Sequence, residues 1–241
     1  YQWGDPANWS SGTVPGAATD VRIERFGAEL TVNVEGASAV RDLECTEALS
    51  ITGGDLTVHG EANISGDLTV GNHRWLRVDG PVTFRATGAV DLYRGRIESR
   101  SGSTIDLSPA TDWTEGILKI DGPGDVLVQN VTDVTLTRFF LSGGAQWSLP
   151  TAVAAYSSTG GHGINERRTV FSVDGAGTVL DLSSLTSMDC QFWGLGGLRQ
   201  TFEATDGAVL DLSGVESITG GGWGVNGGGP MELTTSSGGR I

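Results

Sequence analysis

An all-β chain wound as a right-handed parallel β-helix is predicted by three observations. The 241-residue sequence has an internal repeat of 30 residues near its C-terminus, a run of very short alternating strand segments before it, and 38 glycines to turn the chain between them. Ungapped alignment of Gly177–Gln200 with Gly207–Pro230 gives identity at ten of 24 positions, among them Val179/Val209, Leu180/Leu210, Asp181/Asp211, Leu182/Leu212, Ser187/Ser217 and Trp193/Trp223. A looser continuation through Phe171, Phe202 and Leu233 puts Ile241 where Val179 stood, so a third copy is cut off at the chain end. Repeats of this length stack as single circuits of short parallel strands, whereas a propeller blade takes about 40 to 45 residues.

The strand segments follow in order. Leu56-Thr57-Val58, Leu68-Thr69-Val70, Leu76-Arg77-Val78, Val82-Thr83-Phe84, Val90-Asp91-Leu92, Ile97-Glu98-Ser99 and Ile105-Asp106-Leu107-Ser108 alternate apolar and polar residues. That is the period of a half-buried strand, and the Gly, Asn and Asp between them favour turns. Leu107, Val128 and Leu149 recur at one constant interval that is shorter than the C-terminal repeat, so circuits are expected to lengthen toward the C-terminus. Within a circuit Leu180 and Leu182 are expected inward, with Val179, Asp181 and Ser183 outward. Residues 1–26 read as a capping segment and residues 27–241 as the β-helix, truncated at its C-terminal end.

The opening runs Trp3-Gly4-Asp5-Pro6-Ala7-Asn8-Trp9, then Gly12, Pro15, Asp20 and Ile23. This resembles the start of β-helical domains in large secreted bacterial surface proteins, the autotransporter-passenger and haemagglutinin-like adhesin group. The resemblance covers about a tenth of the chain. It implies an extracellular or cell-surface module within a longer parent chain, and is nearly silent on activity because such domains serve adhesion, scaffolding and polysaccharide cleavage. Trp3 and Trp9 are expected to plug the open end of the first circuit.

With 29 acidic against 15 basic residues, the formal net charge of −14 argues against nucleic acid as a partner. No apolar run approaches the ~18 residues of a membrane-spanning helix. Two cysteines, Cys45 and Cys190, sit roughly five circuits apart, about 24 Å at ~4.8 Å per circuit, too far for a bridge. Both are expected to be free.

Three groups of residues carry candidate chemistry. Trp193 and Trp223 occupy equivalent places beside Gly194 and Gly224. They form either a core ladder or a carbohydrate platform, with Gln191, Arg199 and Asn226 supplying hydrogen bonds. Asp181 and Asp211 are expected on adjacent circuits about 5 Å apart, a weak candidate for Ca²⁺ against a default of hydration. No cofactor is otherwise implied. Between Tyr156 and Val170 the pattern breaks into a polar stretch holding His162, Glu166, Arg167 and Arg168, candidate catalytic groups if the chain is a polysaccharide lyase. A glycosidase would instead need facing carboxylates from a set such as Asp106, Asp121, Asp125 and Asp133. The reading is therefore a non-enzymatic structural or adhesive module whose partner is a polysaccharide or extracellular matrix component. A polysaccharide-degrading enzyme on the same scaffold is the alternative.

Overall fold

A computed structural model describes residues 1–24, 30–158, 168–191, 200–220 and 231–241. Among them the chain is all-β, apart from a short 3-10 turn at Pro6–Asn8, and every strand pairing is parallel. Parallel strands cannot be joined by tight hairpins. The strands accordingly never pair with their immediate neighbours in sequence.

They are dealt to three faces in a fixed order. The first face takes Val21–Ile23, Leu43–Cys45, Ala62–Ile64, Thr83–Ala86, Thr104–Asp106 and Asp125–Leu127 as one six-stranded sheet. Gln146–Ser148, Val179–Asp181 and Val209–Asp211 form a further sheet, tied to the first where Trp147 Nε1 donates to the Val126 carbonyl at 2.8 Å. The second face takes Trp75–Asp79, Arg96–Arg100, Ile117–Asp121, Arg138–Ser142, Arg168–Asp174, Gln200–Thr205 and Met231–Thr235. The third face begins with Leu68–Val70 and Val90–Asp91 and continues through the Asp112–Asp133 bridge. It ends with the stack Ala155–Ser157, Ser187–Cys190 and Ser217–Gly220.

Two strands exceed the short length that the sequence suggested. Thr31–Val40 and Ala48–Val58 pair with each other and run around a corner, so that Leu49 lies beside Leu68 on the third face while Leu56 lies beside Leu76 on the second. The corner is built on glycine. A Cβ on Gly54 would stand 1.8 Å from the Gly36 carbonyl oxygen, and Gly36 itself has φ of 71°, a left-handed conformation that glycine adopts without strain.

Register explains the repeat. On the second face Leu56, Leu76, Ile97, Leu118, Phe139, Phe171 and Phe202 are successive partners, all 1% exposed or less. Each such burial contributes about 1.5 to 3 kcal/mol. The interval along the chain from one partner to the next is nearly constant up to Phe139 and grows by half beyond it. Leu180 pairs with Leu210 and Met188 with Ile218, in the register of the sequence repeat, and Leu180 and Leu182 are both fully buried. About half of the added length falls at one corner. Between third-face and second-face strands, the connections after Ser157, Cys190 and Gly220 are nine or ten residues long where those after Val70 and Asp91 are four.

At the chain end the extrapolated register is off by one. Arg240, not Ile241, pairs with Val209, because the second-face step from Phe171 to Phe202 is one residue longer than the first-face step from Leu180 to Leu210 that follows it. At the other end Trp3 is fully buried within the core cluster. Trp9 packs edge-on against it with ring centroids 5.0 Å apart and donates from Nε1 to the Trp3 carbonyl at 2.8 Å. Asp5 caps the 3-10 turn through the Ala7 N–H. Cys45 and Cys190 are buried free thiols, and burial pushes each up to about 11.

Candidate functional site

The third face carries a groove of about 740 Å³ built from successive paired strands. Strand alternation explains its lining. Tyr156 and Met188 point into the core, which leaves Ala155, Ser157, Ser187 and Asp189 facing out, with Ser217 and Thr219 above them. Thr132, Asp133 and Thr135 close the lower end and Gln191 the edge. The carboxylates are fixed by local turns. Asp133 Oδ1 accepts from the Thr135 N–H at 2.8 Å, and Asp189 Oδ1 from the Gln191 N–H at 3.1 Å. Small residues at Ala152, Ala154 and Ala155 keep the groove open. The lining is therefore rich in hydroxyls, with two oriented carboxylates and one amide, a set suited to hydrogen-bonding neutral polyols.

Of the carbohydrate-platform residues, Gln191 is placed, half-buried at the end of the strand that lines the groove. Trp193, Trp223, Arg199 and Asn226 lie outside the described residues, as do His162, Glu166 and Arg167. For Arg168 only the backbone is described, at the start of its second-face strand and paired with Gln200. In sequence, these residues follow the three strands Ala155–Ser157, Ser187–Cys190 and Ser217–Gly220, whose outward residues form the groove.

Asp181 and Asp211 are direct register partners on the first face, as the repeat implied. Each is engaged in its own turn, accepting from the Ser183 and Ser213 N–H groups at 2.9 and 2.8 Å. Hydrogen bonds from Ser183, with a smaller contribution from Ser148, hold the Asp181 carboxyl below its ordinary value. Among the described residues no group of three or more His, Cys, Asp or Glu side chains is arranged to hold a metal ion. The four glycosidase carboxylates are not brought together. Asp106 and Asp125 belong to first-face strands, Asp121 to the end of a second-face strand and Asp133 to the third face. Asp106 pairs instead with Arg85 at 3.3 Å, and burial raises Asp125.

One constellation has no counterpart in the sequence reading. Across the second face Arg77, Glu98 and Lys119 are register partners, as are Trp75, Arg96, Ile117 and Arg138. The alternation in Ile97-Glu98-Ser99 suggested an exposed Glu98, yet its side chain is 2% exposed. Arg77 Nε donates to its Oε2 at 3.1 Å, while Arg100 Nη2 and Lys119 Nζ each lie 2.8 Å from Oε1 as ion contacts without hydrogen-bond alignment. Burial works to raise the Glu98 carboxyl. The close positive charges of Lys119 and Arg100 outweigh it and hold the group below its ordinary value. Ser99, also inward, is satisfied by Ser103. The guanidinium carbons of Arg77 and Arg96 stand 5.0 and 5.6 Å from the Trp75 ring centroid, within cation–π range. The signal for this cluster was the even spacing of Arg77, Glu98 and Lys119, and of Trp75, Arg96, Ile117 and Arg138, which only a known register turns into contact.

Comparison with protein-family models, curated proteins and solved structures gave no match.

Proposed function

We propose that the chain is a right-handed parallel β-helix serving as a structural or adhesive module of a secreted or cell-surface protein, and that it contacts glycans through the third-face groove. The observation that carries this reading is the groove itself. Outward hydroxyls, carboxylates and an amide from successive stacked circuits form one polar channel, and hydroxyl-rich ligands are held by such convergent donors and acceptors. The β-helix supports the reading because it is the simplest path joining all-parallel strands dealt to three faces in constant order. Right-handed crossovers are the rule for parallel connections. The cap around Trp3 and Trp9 matches the segment that resembles secreted surface domains.

Ala155 gives a direct test. It is exposed in the groove floor and its side chain supports nothing in the core. An Ala155→Arg variant fills the channel while leaving the stack intact, which an unchanged far-ultraviolet spectrum verifies. On a glycan array the wild type is expected to bind a defined subset of neutral glycans, with the variant signal reduced about tenfold. Equal signals from both proteins end the groove reading.

A further inference from the structure

We propose that the outward surface of the second face, centred on Trp75, Arg96 and Lys119, is a binding strip for an anionic polysaccharide, separate from the third-face groove. Six of the fifteen basic residues of an otherwise acidic chain gather here: Arg74, Arg77, Arg96, Arg100, Lys119 and Arg138. Asp55 and Glu98 lie among them, and Asp79 and Asp121 form one rim. The strip thus keeps a surplus of two positive charges on a chain of net −14.

That surplus is not spent on the protein's own carboxylates. Glu98 serves three cations at once, whereas Arg74 and Arg96 make no ion pair among the described residues. Arg96 is held against Trp75 with its Nε shielded and unpartnered. Burial, and then the like charges of Arg74 and Arg77, pull its guanidinium below the ordinary value despite Asp55. An arrangement that crowds cations around a stiff aromatic anchor is relieved by an external anion.

The shape selects the partner. The cations climb through four stacked strands, from Trp75–Asp79 to Arg138–Ser142, about 14 Å at ~4.8 Å per strand, on a surface only one strand wide. A flat anionic membrane or a nucleic-acid duplex would also meet the acidic remainder of the surface. A single extended sugar chain with a carboxylate or sulfate on each unit lies along the strip and meets little else.

The test is titration of the whole protein with dextran sulfate, polygalacturonate and neutral dextran, alongside phosphatidylserine vesicles. Binding to at least one anionic polymer is expected, weakening about tenfold between ~50 and ~200 mM salt, with none to neutral dextran. The relative affinity for the two polymers identifies the acid group. Arg74→Glu with Arg96→Gln is expected to weaken binding about tenfold, and Arg74→Glu alone, at an exposed residue, about threefold. Arg22→Gln, on the first face, stays within about twofold of wild type. Because the Arg74 side chain is exposed and outside every ion pair among the described residues, its single variant decides the matter even if the double variant is unstable. Failure to bind either polymer, equal binding by the Arg74→Glu variant, or binding to vesicles alone overturns the proposal. None of these outcomes touches the groove on the third face.

Discussion

Phe171→Ala tests the buried core where several aromatic rings meet. The ring is fully buried and meets three others: Phe139 below at 5.3 Å, Phe202 above at 4.9 Å and Tyr156 from the third face at 5.0 Å. Removing a buried phenyl group costs about 3 to 5 kcal/mol, and each aromatic pair adds about 0.5 to 1.5 kcal/mol beyond area, so about 5 kcal/mol is expected here. In a chain of this size that lowers the melting temperature by about 10 °C or more. Phe202→Ala, with one ring partner among the described residues, should lose about 3 kcal/mol. Phe171→Leu, which keeps most of the volume, should lose about 1 to 2 kcal/mol. Urea unfolding followed by tryptophan fluorescence gives all three values. A Phe171→Ala loss below about 1 kcal/mol, or an order in which Phe202→Ala costs more, would refute the argument that this ring braces two faces.

Glu98→Gln should destabilise the protein by about 2 kcal/mol at neutral pH, allowing for the solvent that reaches Arg100 and Lys119. Since the folded carboxyl lies below its ordinary value, its contribution is full above the unfolded value of about 4.3 and is lost as pH falls through the folded one. The gap between variant and wild type should therefore close in acid, and a gap that widens below about pH 4 would contradict the assignment. Cys45 and Cys190, buried and pushed up to about 11, should resist a disulfide-exchange reagent at about pH 8 and react as two thiols once the protein is unfolded. Rapid labelling of the native protein would show that one of them is reachable.

The repeat was legible because it is a direct image of register. Leu180 over Leu210 and Phe171 beneath Phe202 are both spacing and contact. The corner strands were not legible, since Gly53-Gly54 reads as a break between segments while the backbone there keeps pairing around the bend. Glu98 misled for a different reason. Alternation fixes which way a side chain points, not what covers it, and Arg77 and Lys119 arrive from the strands on either side. The third-face groove was hidden likewise, because its Ser, Thr and Ala residues are unremarkable until three strands align them. Trp193 and Trp223 were the visible signal in the sequence, and they fall outside the described residues.

The corner between third-face and second-face strands separates two kinds of change. Lengthening from four to nine or ten residues between third-face and second-face strands leaves the inward register of Phe139, Phe171 and Phe202 unbroken. Loop closure grows only slowly more costly with length. Grafts of foreign peptide at that edge should thus be accepted where the same insertion within a first-face strand would shift the pairing of its neighbours, which makes the corner a natural display position.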